Sequence, residues 1–418
     1  MKILLLCWRD TGHPQGGGSE RYLERVGSYL AGLGHEVIYR TAAYPGAPRE
    51  ETHDGVAFQR AGGRYTVYVR AALAMLAGRA GRGRLAGIDA VVDTQNGIPF
   101  FARLFTGRPT VLLTHHCHRL QWPVAGPIIG KLGWWLESRV SPRLNRGAEY
   151  VTVSEPSRAE LVRLGVDPRR IHIIRNGIDP VPDTGRSGSE PSAPETSHVG
   201  RSGSVGPAAG APVSQSNGTP ARRRQAPIHL VTLSRLVPHK RIEHALEATA
   251  RIPGTVLDMI GSGWWSDKLQ GYARDLGILD RVRFHGQVSD ARKHELLAAA
   301  AVHLMPSKAE GWGLAVIEAA QHGVPTIGYA AAGGLNDSIA NGQSGVLVAE
   351  DDIDQFVAAV QRLVGSESER SRLGAEAQRR AQAFSWQDTG SNFAELLSRV
   401  ATRPSDGPNP RTSDGVHR

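Results

Sequence analysis

The sequence predicts an α/β protein made of two doubly wound domains, each with a parallel sheet between layers of helices. Its 418 residues exceed the size at which a single hydrophobic core usually stops growing. Short apolar runs alternate with helical patterns on both sides of a stretch rich in Pro, Gly and Ser. The runs are apolar throughout, which is typical of parallel strands that are covered on both faces.

The N-terminal domain is predicted to span residues 1–180. Residues 2–8 indicate a buried strand, and Ser19 is expected to cap a helix that ends near Gly34. A strand at 36–40 then completes a βαβ unit. Further strands are predicted at 90–92, 110–114 and 150–154.

Residues 181–227 interrupt this alternation. They contain no Leu, Ile, Met, Phe, Tyr or Trp, so the segment buries too little apolar surface to offset the entropy lost on ordering. We expect a disordered linker or insertion, whose role the sequence leaves open. The run Arg222-Arg223-Arg224 in it is a candidate for a phosphate or membrane contact.

The C-terminal domain is predicted at residues 228–383, followed by a helix at 384–400 and a mobile tail at 401–418. Its predicted strands are 228–233, 256–260, 282–285, 301–305, 326–329 and 345–348. Its predicted helices are 241–251, 266–276, 290–299, 313–322 and 353–364.

Composition limits the class of protein. Hydrophobic residues make up 40% and charged residues 21%, as in soluble globular proteins. The net charge of +9 favours acidic partners such as phosphorylated ligands or anionic membranes. Two cysteines exclude a disulfide framework, and no apolar run has the length of a membrane span or a signal-peptide core. We therefore expect a cytoplasmic protein, at most peripheral on the inner face of the membrane.

Two carboxylates eight positions apart, Glu310 and Glu318, form the most informative motif. The segment between them begins with Gly311, Trp312, Gly313 and Leu314, and reads as a tight loop that opens a helix. Eight helical positions span about 12 Å, and the free N–H groups of a helix start favour an anion such as a diphosphate. This pattern suits a nucleotide sugar. The alternative is that Glu310 caps the helix and Glu318 is solvated, although the neighbours of Glu318 are apolar.

The motif resembles the Glu-x7-Glu signature of retaining glycosyltransferases of family 4, also called glycosyl transferases group 1. This resemblance implies the GT-B architecture, in which two Rossmann-like domains face each other across a cleft. It further implies transfer of a hexosyl group with retention, from a nucleotide-diphosphate sugar in the C-terminal domain to an acceptor in the N-terminal domain. Neither a cofactor nor a bound metal is expected.

Arg235 and Lys240 follow the first strand of the C-terminal domain. An arginine binds two phosphate oxygens at once, and a lysine supplies a point charge. By resemblance the two residues bind the donor diphosphate, with Glu310 at the sugar and Glu318 at the ribose. Ser234 and Arg241 replace two glycines of the family pattern. The alternative is an ordinary solvated Arg and Lys.

Two glycine turns resemble donor-binding loops of the family. Gly261 and Gly263 follow the second strand of the C-terminal domain and resemble its nucleotide-side turn. Gly16, Gly17 and Gly18 follow the first strand of the chain and resemble the loop that closes over the donor phosphates. Their spacing does not fit the dinucleotide pattern G-x-G-x-x-G.

Three histidines, His115, His116 and His118, end a strand at the expected cleft. Alignment with the Thr-x-His pattern of the family selects His116 as the contact to the donor sugar, with His115 as the near alternative. A structural role remains the other interpretation. Metal binding is not expected, because the sequence offers no partner ligands at suitable spacing. The D-x-D pattern at 352–354 stands at the start of a predicted helix, where acidic residues serve as caps, so it is interpreted as a helix cap and not as a metal site.

The stretch from Arg60 to Arg84 holds six arginines and no acidic residue, interleaved with apolar side chains. It fits either docking on anionic lipid or a solvated arginine-rich helix. The acceptor hydroxyl would then belong to a lipid or a cell-envelope glycan. Two other functions stay open: a phosphorylase-like enzyme on the same fold, and a non-catalytic basic module that binds membranes or nucleic acid. No nucleic-acid-binding motif is present, so we expect no nucleic-acid partner. The sequence leaves open the nucleotide base, the donor sugar, the acceptor and the oligomeric state.

Overall fold

The computed structural model describes residues 1–119, 121–182, 226–349 and 352–402. Nearly all of the predicted linker at 181–227 and of the predicted tail at 401–418 lies outside the described residues. The predicted role of Arg222-Arg223-Arg224 lies there as well. The described chain forms two sheets with helices on both faces, which confirms the predicted fold class.

The N-terminal sheet has eight strands in the order β3-β4-β2-β1-β5-β6-β7-β8, and every pair is parallel except β3 with β4. The strands are β1 Lys2–Leu6, β2 Glu36–Thr41, β3 Glu50–His53, β4 Val56–Arg60, β5 Ala90–Thr94, β6 Thr110–Leu113, β7 Glu149–Thr152 and β8 Ile171–Ile173. All predicted strands of this domain are present, while β3, β4 and β8 were not predicted.

The helices of this domain are α1 Gly18–Gly32, α2 Thr66–Arg79, α3 Ala102–Thr106, α4 Pro127–Trp135, α5 Ser141–Leu144 and α6 Glu155–Arg163. A π-helical turn, Leu136–Val140, joins α4 to α5. The predicted cap at Ser19 is wrong, because α1 begins at Gly18 with Gly17 before it. The Glu20 carboxylate accepts the Gly17 N–H at 2.9 Å, so an acid in the first turn replaces the hydroxyl cap.

The C-terminal sheet has six parallel strands in the order β11-β10-β9-β12-β13-β14. They are β9 Ile228–Leu233, β10 Thr255–Ile260, β11 Val282–Gly286, β12 Val302–Met305, β13 Thr326–Tyr329 and β14 Gly345–Val348. The helices are α7 Ile242–Arg251, α8 Ser266–Asp275, α9 Asp290–Ala299, α10 Leu314–Gln321, α11 Leu335–Ser338, α12 Ile353–Gly365, α13 Glu367–Ala381 and α14 Trp386–Thr402. Short 3-10 turns occur at Trp122–Ala125, Pro168–Arg170, Pro238–Lys240, Leu279–Arg281 and Ala330–Ala332.

Helix α14 crosses back from the C-terminal sheet and packs against α1 of the N-terminal domain. A Cβ built on Gly390 would lie 2.2 Å from the Tyr29 ring, so glycine permits this close approach. Phe393 is fully buried beside Tyr22, with ring centroids 6.2 Å apart. The chain therefore links the two domains a second time.

Each sheet has one point where the strand order reverses, between β1 and β5 in the first and between β9 and β12 in the second. Ligands of open α/β sheets bind at these points, beyond the carboxyl ends of the strands. Within the described part of the chain, no helix is long and apolar enough to cross a bilayer.

Candidate functional site

The two reversal points face each other across a narrow cleft. A Cβ built on Gly18, at the start of α1, would lie 3.6 Å from the Leu314 side chain at the start of α10. A Cβ built on Gly311 would lie 2.9 Å from the carbonyl oxygen of His115 and 3.3 Å from Nδ1 of His116. The loops after β1 and β6 of one domain thus lie on the loop after β12 of the other.

The loop that precedes α10 presents backbone N–H groups to this cleft. Gly313 stands immediately before the helix and has a φ of +88°, a left-handed conformation that favours glycine. Within the described residues, the N–H groups of residues 311–314 have no hydrogen-bond acceptor. An anion at this position would satisfy them and would also be favoured by the helix dipole.

Glu310 does not cap α10. Its carboxylate forms an ion pair with the ammonium group of Lys240, 70 residues earlier in the chain. The two loops are joined further by the Lys308 N–H, which donates to the His239 carbonyl oxygen at 2.8 Å. The structure therefore brings together two residues that the sequence assigned to one site.

Arg235 stands at the same end of the sheet with its guanidinium free of hydrogen bonds and ion pairs among the described residues. The Arg235 side chain is exposed to solvent. Desolvation in the cleft nevertheless lowers its pKa, and the charge of Arg9 lowers it further. Arg9 comes from the N-terminal domain, where Glu20 holds it at 2.8 Å. The charges of two cations from opposite domains thus repel each other, and a bound diphosphate would relieve that repulsion.

Arg9 and Glu20 were not predicted from the sequence. Arg9 is part of the polar loop directly after β1, and this position at a strand end was the one available signal. Asn96, after β5, donates to the Glu20 carboxylate at 3.2 Å and so joins the two loops at the reversal point.

The predicted donor-binding glycines Gly261 and Gly263 shape the loop that carries Arg235. A Cβ on Gly261 would lie 1.9 Å from the Ser234 carbonyl oxygen, and one on Gly263 would lie 2.1 Å from that of Leu236. The Leu236 N–H also donates a hydrogen bond to the carbonyl oxygen of Ser262 at 3.0 Å, which joins the two segments. These glycines let two backbone segments touch, and their contact with a nucleotide stays a prediction.

The loop at Gly16, Gly17 and Gly18 is tight for a similar reason. A Cβ on Gly16 would lie 2.7 Å from the carbonyl oxygens of Asp10 and Thr11. The turn is therefore compact, and it places Gly18 beside the Leu314 side chain of the opposite domain. The loop therefore lies over the start of α10, where the donor phosphates are predicted.

The structure distinguishes the two candidate histidines. His115 packs inward, edge-on against Tyr22 with ring centroids 5.0 Å apart, and burial lowers its pKa to about 4. His116 lies beside Gly311, and burial followed by the charge of His118 lowers its pKa. The Gln121 amide nitrogen lies 2.9 Å from Nε2 of His116 and can only donate, so the imidazole proton belongs on Nδ1, on the side of Gly311. A contact with the donor sugar stays a prediction for His116.

Glu318 is not solvated, because its side chain is only 16% exposed and pairs with Lys293 of α9 at 2.7 Å. Lys293 also binds Asp290 at 2.9 Å, and Arg21 of the N-terminal domain approaches Asp290 at 3.5 Å. The pairs of Lys293 with Glu318 and of Arg21 with Asp290 join segments that are far apart in the chain, so no local pattern indicated Lys293 or Arg21.

Trp312 is buried and lies edge-on to Phe384, with ring centroids 4.8 Å apart. Its side chain therefore belongs to the core, and only its backbone faces the cleft. The predicted cap at 352–354 is present, since the Asp352 carboxylate accepts the Gln355 N–H at 2.9 Å. No group of three or more His, Cys, Asp or Glu side chains suited to a metal ion occurs among the described residues.

The basic stretch at 60–84 is less uniform than its sequence suggested. Arg60 is buried and binds Asp10 at 2.6 Å and Glu51 at 2.5 Å. Arg84 pairs with Glu50 at 2.8 Å. The arginines that remain exposed without an acidic partner among the described residues are Arg64, Arg70, Arg79 and Arg82.

Two family sequence models match this chain. The family described as glycosyl transferases group 1 matches residues 220–380, and the family described as Glycosyltransferase Family 4 matches residues 16–181. Together they cover strands β2 to β14 and the loops of the cleft from Gly16 onwards, but neither β1 nor the position of Arg9.

Relatives and solved structures agree with these matches. The glycogen synthase of Mycobacterium tuberculosis is 32% identical over 195 residues, which are 46% of this chain and 47% of the relative. A lipopolysaccharide core biosynthesis glycosyltransferase of Rhizobium meliloti is 34% identical over 155 residues, 37% of this chain and 44% of the relative. The aligned part of the chain thus spans about half the length of these curated relatives.

Among solved structures, the sucrose-phosphate synthase of Thermosynechococcus elongatus superposes with a TM-score of 0.73 at 20% identity, covering 96% of this chain and 98% of that one. The Anabaena protein HepE, solved with UDP-glucose, gives a TM-score of 0.68 at 17% identity and covers 96% and 100%. At these identities the likeness concerns the fold alone.

Proposed function

Because the chain belongs to the GT-B group 1 glycosyltransferases, we propose that it transfers a hexosyl group with retention from a nucleotide-diphosphate sugar to an acceptor hydroxyl. The observation that carries this proposal is the convergence of Arg235, Lys240 and the free N–H groups of residues 311–314 at one end of the C-terminal sheet. Together these groups supply two positive charges and several oriented donors, which suits a diphosphate.

The diphosphate is the leaving group in this reaction, and its negative charge grows in the transition state. Donors that are already oriented stabilise that charge without reorganisation, so they contribute more to the transition state than to the ground state. Arg9 from the opposite domain adds a third cation when the cleft is closed. Closure also excludes water, which limits hydrolysis of the donor.

The two carboxylates, Glu310 in the loop before α10 and Glu318 within the helix, correspond to the two ends of the donor. Glu310 lies next to Gly311 and therefore close to His116, which supports a role for it at the sugar end. Glu318 lies farther along the helix, where Lys293 orients its carboxylate towards vicinal ribose hydroxyls. The solved structures of HepE, which carry UDP or UDP-glucose, support a nucleotide sugar as donor.

The outer face of the N-terminal domain supports an acceptor on an anionic membrane. Residues 64–146 hold twelve Lys and Arg but three acids, of which Asp93 and Glu137 are fully buried. On the same stretch α2 exposes Leu73 at 63%, and α4 exposes Ile128 at 80%. Both helices cross between parallel strands in the same direction, so they lie on one face of the sheet. Cations beside exposed apolar side chains favour an anionic lipid surface.

A ligand panel tests the catalytic part of the proposal. Thermal denaturation is measured with UDP, GDP and ADP and then with UDP-glucose, GDP-mannose and ADP-glucose, because a ligand that binds the folded state raises Tm by mass action. Slow hydrolysis of the selected donor is then followed by release of the free sugar. A non-catalytic module would bind without hydrolysis, and a phosphorylase-like enzyme would act on a glycoside with phosphate and no nucleotide. Either outcome would replace the proposed function.

A further inference from the structure

We infer that Arg21 of the N-terminal domain contributes to recognition of the donor ribose by keeping the carboxylate of Glu318 in position. It acts through Asp290 and Lys293 of α9, so it is a positioning residue. This inference rests on the proposed nucleotide-sugar donor and deepens the role proposed for Glu318. It makes the N-terminal domain, which is proposed to bind the acceptor, a participant in donor binding as well.

Helices α1 and α10 meet at the boundary of the two domains. At their starts, a Cβ built on Gly18 would lie 3.6 Å from the Leu314 side chain. At the end of α10, the Gln321 amide donates to the carbonyl oxygen of Asp179, in the N-terminal domain, at 2.8 Å. Leu314, Glu318 and Gln321 follow one another at steps of four and three residues, so they share one face of the helix. Glu318 therefore lies on the face of α10 that meets the N-terminal domain.

A row of alternating charges connects Arg21 with Glu318. Nη2 of Arg21 lies 3.5 Å from Oδ2 of Asp290, and the Lys293 ammonium group lies 2.9 Å from Oδ1 of the same carboxylate. That ammonium group also donates to Oε1 of Glu318 at 2.7 Å. Among the described residues Oε2 of Glu318 has no hydrogen-bond partner, so this oxygen is available to the vicinal hydroxyls of a ribose.

Lys293 stands between two carboxylates that compete for its charge. Arg21 offsets the charge of Asp290, and Lys293 therefore stays with Glu318. The guanidinium is itself held by Asp179, which lies 2.6 Å from its Nε. Burial acts to lower the pKa of Arg21, but three nearby carboxylates, among them Glu318, raise it. The charge of Glu318 thus reaches the N-terminal domain.

Two forms of one nucleotide measure the contribution of the ribose. The discrimination factor is the Kd of the 2′,3′-dideoxynucleoside diphosphate divided by the Kd of the nucleoside diphosphate selected by the panel, both measured by calorimetry. For the wild type we expect a factor of at least about ten, as for loss of a hydrogen bond to a charged group. Lys293→Met should lower the factor to about two, and Arg21→Gln to about four, since the Arg21 contact is the longest and Asp290 is 53% exposed.

A double variant tests whether Arg21 acts through Asp290. Arg21→Gln combined with Asp290→Asn should recover the wild-type factor. The asparagine still accepts a hydrogen bond from Lys293, but without a charge it does not draw the lysine away from Glu318. A double variant that keeps the low factor of Arg21→Gln would overturn the inference.

Arg25→Gln is the matched control. Arg25 also lies on α1 and pairs with Asp179 at 2.7 Å, but among the described residues it has no ion pair with Asp290. Its discrimination factor should equal that of the wild type. If Arg25→Gln lowers the factor as much as Arg21→Gln does, the effect comes from the packing of α1 and the inference is wrong.

Inorganic pyrophosphate, which has no ribose, shows whether the variants weaken the whole cleft. Its Kd should change less than about twofold in each variant, because the proposed diphosphate cations are unaltered. A wild-type factor in Arg21→Gln, or an equal loss of affinity for pyrophosphate and both nucleotide forms, would overturn the inference while the proposed function stands. A wild-type factor near one would overturn the inference together with the ribose role of Glu318. A wild type that binds no nucleotide of the panel would overturn the proposed function as well.

Discussion

The two domains share one architecture but differ in the sign and location of their charge. The N-terminal domain, residues 1–180, has 24 Lys and Arg against 15 Asp and Glu, whereas the C-terminal domain, residues 228–383, has 16 against 18. The excess of the first is spread over an outer face, while Arg235 and Lys240 of the second stand inside the cleft. Net charge therefore describes the surface of a domain, whereas a binding site depends on where a few cations converge.

This contrast predicts different consequences for arginine substitutions in the two domains. The largest effect is expected when Arg64, Arg70, Arg79 and Arg82 are changed together to Gln. Each cation near an anionic surface contributes about 1 kcal/mol, so binding should weaken by up to about a thousandfold at low salt. The loss of vesicle binding is measured by sedimentation with vesicles of increasing anionic lipid content.

The matched control replaces four exposed arginines of the C-terminal domain, Arg274, Arg283, Arg362 and Arg379, by Gln. It should sediment with anionic vesicles as the wild type does. If the wild-type protein stays in the supernatant with strongly anionic vesicles at low salt, the proposed membrane-binding surface is wrong. A soluble acceptor would then be favoured.

The second-largest effect is expected from substitution of the cations in the cleft. Arg235→Ala and Lys240→Ala should each lower kcat/KM for the donor by about a hundredfold or more, since loss of one transition-state contact costs about 3 kcal/mol. Vesicle binding and Tm should stay near wild type, and Arg274→Ala should keep full activity. Full activity in either cleft variant would exclude the proposed diphosphate site.

A smaller effect is expected to distinguish the roles of Glu310 and Glu318. Glu310→Gln should mainly lower kcat, because its carboxylate lies at the reacting end, whereas Glu318→Gln should mainly raise KM by about tenfold through weaker ribose binding. Steady-state kinetics with the selected donor distinguishes the two. Equal defects in kcat and KM for both variants would contradict the assignment of the ends.

The smallest effect is expected from removal of metal ions. Arg235, Lys240 and the N–H groups before α10 already provide positive charge for a diphosphate, so we predict that turnover continues in excess EDTA. Rates are measured before and after the chelator and after addition of Mg²⁺ or Mn²⁺. A rate that disappears in EDTA and returns with either ion would refute metal independence.

Most of the secondary-structure elements could be read from the sequence alone. Strands such as β9 and β13 begin and end where their apolar runs do, because a strand buried on both faces needs apolar residues throughout. The paired glutamates and the cations after β9 were also visible, since they stand directly at strand ends. The short strand β3 escaped prediction because it is exposed along its length and carries no apolar run.

Only the tertiary structure decided which of these residues meet. The pairs Lys240 with Glu310 and Lys293 with Glu318 join separate segments, and the pair Arg21 with Asp290 joins the two domains. The sequence did not show that the ring of His116, and not that of His115, lies beside Gly311. Sequence spacing fixes the direction of a side chain within one element, whereas contacts between elements follow from packing.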